Sequence, residues 1–386
     1  MDIVKLFRLP DGAARLSGGV FREWKALLTY HAGFLMFILA RILVAALLGA
    51  LTVQSAQAQR PSTGSGMETA APGPATTAKR ASQSPRDRIN AWTVGLAGGQ
   101  LEGAPLRLAS EIARVVDDGD NLHVLPIVTR GPTENVNSLL YLRGVDMAVI
   151  NTDVLDEYKA QVPNIQQHIT YILNLFPSEL HIFVRPEIQS LDDLKGKKVN
   201  FNTLGTAAAY SGPLIFSRLG LDVEKTFIPH PVALEQMKAG TMDAVVFVTS
   251  KPVDAFLKGR FEAGFKFLPV EYDNRLADYY LPSRLEPADY PALVPEGGQV
   301  PTIAVPTFLA AYNWPRNSDR NNRMERFVDR LFSRLETLQG AGFDGKWKGV
   351  NLASKVPGLE RYRAAQEWLD RPPATDESGL PGGSPK

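Results

Sequence analysis

Glycines, threonines and an asparagine gather where short apolar runs give way to helical patterns, and these residue types can cradle a small anion. Gly98-Gly99-Gln100 follows the first apolar run, Thr129-Arg130-Gly131-Pro132-Thr133-Glu134-Asn135 follows the second, and Thr203-Leu204-Gly205-Thr206 follows a later one. A helix N-terminus presents N–H groups without intrahelical partners and a partial positive charge, which suits a carboxylate. Glycine lets a ligand approach the main chain, and Thr129, Asn135 and Thr206 add side-chain hydrogen bonds. One such turn reads equally well as an ordinary cap. Three on one chain point to a cleft beyond the carboxyl ends of the strands. Asn151 and Thr249 end other apolar runs and are expected to line that cleft. Phe247 reads as lining or as core. Arg185 follows a strand where the chain is expected to cross between lobes, and either meets an acidic ligand or pairs with a neighbouring carboxylate.

Catalytic chemistry finds no such support. His123, His168, His181 and His230 are scattered, with no His-Glu-x-x-His spacing for a metal. There is no Gly-x-Ser-x-Gly elbow and no Walker A loop. The chain has no cysteine, so disulfides, thiolate metal sites and cysteine nucleophiles are excluded together. The expectation is a binding protein without catalytic residues, metal or cofactor.

Alternating βα units are needed to position such turns. Trp92–Leu96 reads as a strand, and Leu108, Ile112, Val115 and Val116 share one helix face. Leu122–Val128 is a second strand, Thr133 caps a helix burying Val136, Leu139 and Leu140, and Val145–Ile150 is a third strand. The pattern then restarts. Ile169–Leu175 and Leu180–Val184 read as two strands around a proline-containing turn, and Ser190 with Asp193 resembles a capping box. Lys198–Asn202 is a strand before a helix ending near Gly220, in which Pro213 marks a kink or a late start. Val232–Ala239 is helical, and Ala244–Val248 and Ile303–Ala311 are strands. Asp319–Leu338 is one long amphipathic helix with an apolar face from Met324 to Leu338. The whole predicts a largely parallel α/β architecture.

The 386 residues are 44% hydrophobic and 22% charged, enough for a sizeable core. Net charge is only +1, and six basic against three acidic residues up to Ala58 leave the remainder at −2, which argues against a nucleic-acid partner. A basic stretch ending at Lys25 precedes an apolar run from Phe34 to Val53, and Ala56-Gln57-Ala58 offers small residues for cleavage. Arg41 interrupts the run, which is long enough to cross a bilayer, so a cleaved export signal and an uncleaved anchor both stand. Either places the rest outside the membrane, because basic residues precede the run. Gln59–Asp87, rich in Ser, Thr, Ala, Gly and Pro, and the tail from Arg371 read as spacers that cannot bury a core.

Longer phrases carry a resemblance. Thr129–Asn135, Asp146-Met147-Ala148-Val149-Ile150-Asn151-Thr152-Asp153, Leu180–Arg185, Ser190–Val199 and Val300–Pro306 resemble the TAXI-type solute receptors of tripartite ATP-independent periplasmic (TRAP) transporters, over about Trp92–Leu338. Two loops depart from that family: Gly95–Gly103 carries Glu102 and no tyrosine, and Thr203-Leu204-Gly205-Thr206 replaces a more glycine-rich turn. The resemblance implies a type II periplasmic-binding-protein fold, two βα lobes with a ligand cleft at the hinge. It implies a periplasmic receptor that passes its ligand to TRAP permease membrane subunits. Residues 1–58 are then the signal or anchor, 59–88 the spacer, 89–185 and 300–370 one lobe, 186–299 the other, and 371–386 a tail. The expected ligand is a small organic anion, an amino acid or a carboxylate. A membrane-tethered sensing module is the alternative, and an enzyme on the same fold a weaker one.

Overall fold

The computed structural model describes residues Ser84–Pro372, Glu102 excepted. The expected signal or anchor over 1–58, its apolar run 34–53, most of the 59–88 spacer and the tail from Pro373 lie outside the described residues. Among the described residues no helix is long and apolar enough to cross a membrane.

The first helix, α1 (Pro85–Ala91), begins inside the expected spacer, because the Ser84 hydroxyl accepts from Asp87 N and Pro85 suits the first turn. Then come β1 (Thr93–Gly99), α2 (Ala104–Val116), β2 (His123–Val128), α3 (Pro132–Tyr141) and β3 (Met147–Asn151). This is the β-α-β-α-β unit of the sequence pattern, although Gly131, not Thr133, is the cap of α3. Short α4 (Leu155–Lys159) and α5 (Ile165–His168) lead into β4 (Ile169–Val184). Two strands and a turn are expected there; the structure has one strand of 16 residues that runs straight through Pro177.

The second βα series is β5 (Lys198–Asn200), α6 (Ala207–Leu219), β6 (Glu224–Thr226), α7 (His230–Lys238) and β7 (Ala244–Thr249). Pro213 lies within α6, so that helix does not start late, and Gly220 closes it in the left-handed conformation. After α8 (Asp254–Lys258), β8 (Lys266–Phe267) and β9 (Leu281–Leu285), the chain returns along β10 (Val300–Tyr312). It ends with α9 (Asp319–Ser333), α10 (Leu335–Gln339) and α11 (Arg363–Leu369). The expected single helix over 319–338 breaks at Arg334, whose guanidinium is tied to the Val115 carbonyl at 2.7 Å.

The strands form one ten-stranded sheet in the order β2-β1-β3-β10-β4-β7-β5-β6, with β8 on β4 and β9 on β10. The βα strands pair in parallel, but β4 and β10 run antiparallel to each other and to β3, β7, β8 and β9. The sheet is therefore mixed, not largely parallel. Helices cover both faces of each half. In the first half Leu96, Leu108, Ile112, Phe327 and Trp347 make one core, and Val136, Ala148, Ile150 and Phe308 another. In the second half Phe201, Ile215 and Val246 lie on one face, and Phe183, Phe247, Phe256 and Tyr290 on the other. The result is a two-lobed α/β fold whose lobes share two long strands.

A buried ion pair fixes the base of the first lobe. Asp146, 1% exposed, receives Gly95 N at 3.1 Å and the Arg320 guanidinium, joining β1, the start of β3 and α9. Removing one member of a buried pair costs about 3–5 kcal/mol, and here the lower end applies because Arg320 keeps contact with water. Urea unfolding of Asp146→Ala should show stability reduced by about 3 kcal/mol. A loss below about 1 kcal/mol would mean the pair is not a keystone.

Candidate functional site

Between the lobes the sheet narrows. Pairing of β3 with β10 stops at Asn151 opposite Thr307, and pairing of β7 with β4 stops at Thr249 opposite Glu179. Pairing of β9 with β10 stops at Ala304. The sheet is thus two strands wide at this level, where Pro306 faces Pro177 in register. Proline has no N–H, so neither strand carries an unused backbone donor at this pair. The carboxyl ends of β3 and β7, and of their parallel neighbours β1 and β5, converge on this neck from both lobes, the place where α/β sheets bind ligands.

The sequence-predicted residues fall into distinct places. Asn135 is wholly buried, and its side chain ties three strand ends together. Nδ2 donates to Gly98 O (3.0 Å) and Val149 O (2.7 Å), and Oδ1 accepts from the Thr129 hydroxyl (2.5 Å). Gly98 packs so closely on α2 that a Cβ would fall 2.8 Å from Leu106 Cα. Gly99 has φ 146°, a conformation that favours glycine, and its carbonyl receives Thr129 N at 2.9 Å. Asn151 is buried and donates to the Thr307 hydroxyl (2.9 Å), which also meets Ser178 (2.7 Å), at the edge of the neck. The Thr206 hydroxyl is the N-cap of α6, accepting from Ala209 N and donating to Thr203 O. These groups therefore build the frame of the cleft, their polar atoms largely taken up by one another. Gln100 is exposed and reaches across the cleft to the Thr203 hydroxyl (3.2 Å). Thr249 is half-buried at the neck beside Glu179.

Two residues are placed elsewhere. Phe247 belongs to the second-lobe core, stacked on His230 at 3.5 Å between ring centres. Arg185 is not at the crossing, because the crossing lies inside the strands near Pro177. It sits beyond the far end of β4, bound to Gly240 O (2.9 Å) and paired with Glu187 (2.6 Å).

The two lobes meet through helix N-termini. Gly131, at the cap of α3, lies against Gly205 and Thr206 at the cap of α6, so closely that a Cβ on Gly131 would fall 2.6 Å from Gly205 O. A groove of about 310 Å³ beside this contact is lined from the first lobe by Arg130, Thr133, Glu134 and Tyr158 and from the second by Leu204, Gly205 and Tyr210. Glu134 receives both Arg130 N (2.8 Å) and its guanidinium (2.9 Å), which hold its carboxyl below the usual range. The first turn of α3 thus carries its own anion, whereas that of α6 has no acidic residue. A smaller cavity of about 210 Å³ lies between Thr152, Leu155 and Lys159 of one lobe and Tyr279–Leu281 of the other.

A buried polar cluster at the neck went unread in the sequence. Glu179, 2% exposed, accepts from Lys251 N (3.0 Å), and burial pushes its carboxyl up to about 7. Lys251 Nζ pairs with Asp289 (2.8 Å), and His181 lies between Tyr290 OH (2.7 Å) and Glu179 O (3.0 Å). Burial lowers His181 to about 3, so its ring is neutral. The Ser250 hydroxyl is buried without a hydrogen-bond partner among the described residues. The one sequence signal is a glutamate inside an apolar strand, Ser178-Glu179-Leu180; its partner Lys251 lies 72 residues away.

Sequence comparison gives the lineage. The pattern of the NMT1-like family matches residues 103–317, more than half of the chain. The chain belongs to the NMT1-like family. Its fold is similar to several solved structures. A protein from Bordetella bronchiseptica RB50 has 18% identity, covering 67% of this chain and 76% of that one, with a TM-score of 0.42. The arginine-bound form of a truncated ArgBP from T. maritima has 14% identity, 64% and 98% coverage and a TM-score of 0.37. The BenM effector binding domain with its effector benzoate has 13% identity, 65% and 97% coverage and a TM-score of 0.36. The architecture is two βα lobes that share two long strands.

Two stability measurements check these assignments. Asn135→Ala strands two buried carbonyls and a hydroxyl and should cost about 3–5 kcal/mol, against about 1 kcal/mol for the lost cap in Thr206→Ala. Equal losses in urea unfolding would contradict the frame role of Asn135. For Glu179, the folded pKa lies above the ordinary 4.5, so its contribution is full below about pH 4.5 and fades as pH rises through about 7. Glu179→Gln, which keeps the acceptor for Lys251 N, should gain about 2–3 kcal/mol relative to the parent between pH 5 and pH 8. A parallel pH profile for the two proteins would exclude an ionising, buried Glu179.

Proposed function

We propose that this protein is an extracytoplasmic solute-binding protein that closes its two lobes over a small organic anion, an amino acid or a carboxylate. The observation that carries the reading is the meeting of the α3 and α6 N-termini across the neck. Each end carries roughly half a positive charge, so bringing them together is unfavourable unless negative charge lies between them. Glu134 offsets the charge at α3 only, and α6 is left to be matched by a ligand. The narrow neck supports hinge closure, since few hydrogen bonds need to bend with it. We read the protein as non-catalytic and as delivering its solute to the membrane subunits of a TRAP-type permease, on the strength of the TAXI-like phrases and the export signal or anchor in residues 1–58.

Thermal-shift screening of the full-length protein against amino acids, keto acids and dicarboxylates tests the ligand class. A true ligand at 100 times its Kd adds about 2.7 kcal/mol of stability, readily seen in the melting temperature. Gly131→Val should keep the lobes apart and weaken binding of whichever anion is found by at least about tenfold, with circular dichroism reporting the fold. Stabilisation by neutral or cationic solutes alone, or full affinity in Gly131→Val, would overturn this reading.

A further inference from the structure

Asp153 joins the lobes at a point that the ligand reading does not use. It follows β3 in the first lobe and is wholly buried, and its Oδ2 accepts from the Tyr280 hydroxyl of the second lobe at 3.0 Å. Also beside the carboxyl are the buried Ser211 hydroxyl on α6 and the backbone N–H groups of Asp153 and Val154. Burial disfavours the ionised carboxylate more than these donors favour it. A neutral carboxyl has a proton to place toward Ser211.

The charged and titratable groups on the surrounding elements have partners of their own. Arg218 on α6 is bound to Arg275 O (2.8 Å) and Asp278 (3.3 Å), and Lys159 on α4 to the Tyr279 hydroxyl (3.2 Å). Tyr158 on α4 donates to Thr133 O (2.6 Å), and burial keeps the Glu157 carboxyl above its ordinary value. Tyr210, next to Ser211 on α6, packs on the first-lobe core. Burial pushes the Asp153 carboxyl up to about 6, while the Ser211 and Tyr280 hydroxyls and the N–H groups of Asp153 and Val154 pull it down.

We propose that Asp153 is a proton-operated latch: its carboxyl takes up a proton from solvent as the lobes close on it and releases that proton as they part, so that capture of a solute is coupled to proton uptake. The proposal rests on the two-lobe closure proposed above. Linkage sets the direction. In the parted state Asp153 is hydrated, near its ordinary 3.8, and in the closed state its pKa is raised. Closure is therefore favoured most fully below about pH 4, and this advantage is lost as pH rises through about 6. A carboxyl raised from 3.8 to about 6 changes the closure equilibrium on the order of 100-fold.

The cysteine-free chain allows two reporters, at Arg143→Cys in the first lobe and Lys225→Cys in the second, both exposed positions. Inter-lobe distance distributions of the doubly labelled full chain are measured without solute from pH 4 to pH 8. The closed population should fall with a midpoint near pH 6. Asp153→Asn, a neutral isostere, should stay closed across the range. Tyr280→Phe removes a donor to the carboxylate and should move the midpoint upward, which keeps the test open should Asp153→Asn fail to fold. A parent population that does not change with pH, or one that titrates identically in Asp153→Asn, overturns the latch. Adding the solute panel separates the two proposals. Distances that respond to a solute but not to pH remove the latch alone, and distances fixed under every condition remove two-lobe capture with it.

Discussion

The two-strand neck is the constraint on which the rest depends. β4 and β10 cross it together, and every other strand of the sheet ends before or begins beyond it. A continuous central strand ordinarily excludes proline, because a missing donor breaks the ladder. Here Pro177 and Pro306 face each other where the outer strands end, and Pro306 O accepts a last hydrogen bond from Thr152 N at 3.2 Å. The same feature leaves little resistance to bending, and it brings the strand ends of both lobes, with the helices that follow them, to one place.

Around that neck, polar side chains divide into those that hold the frame and those left for other work. Asn135, Thr129 and Thr206 are consumed in holding strand ends and helix caps, which accounts for their presence without assigning them a ligand. Rigid framing of this kind is what a binding site needs from its supporting residues, since a loose frame would lose affinity to disorder. One surface that meets between the lobes is by contrast main chain, at Gly131 and Gly205.

Two buried carboxyls lie at the same level of the molecule. Glu179 and Asp153 sit beside the neck on different elements, both with carboxyls raised by burial, whereas the ion pair Asp146–Arg320 is at the base of the first lobe. A carboxyl kept without a cation is costly to ionise, and proteins keep such groups where a change of protonation has a consequence or where hydrogen bonds compensate. Glu179 has the Lys251 N–H as compensation, and Asp153 has the Tyr280 hydroxyl of the other lobe.

Local pattern determined much of this protein in the sequence itself. The β-α-β-α-β opening, the second βα series and the returning strand were legible because apolar period and glycine punctuation are properties of neighbouring residues. So were the turns that became the caps of α3 and α6. Only the tertiary structure decided what pairs with what. Whether Pro177 turns the chain or lies in a strand depends on β10 arriving alongside, and whether Arg185 faces the cleft depends on where the crossing falls along β4. The polar atoms of Asn135 could be offered to a ligand until Gly98 and Val149, far apart in sequence, bring their carbonyls to it. Lys251, Asp289 and Asp153 look like ordinary surface charges in the chain, because burial is a property of the assembled lobes and not of any segment.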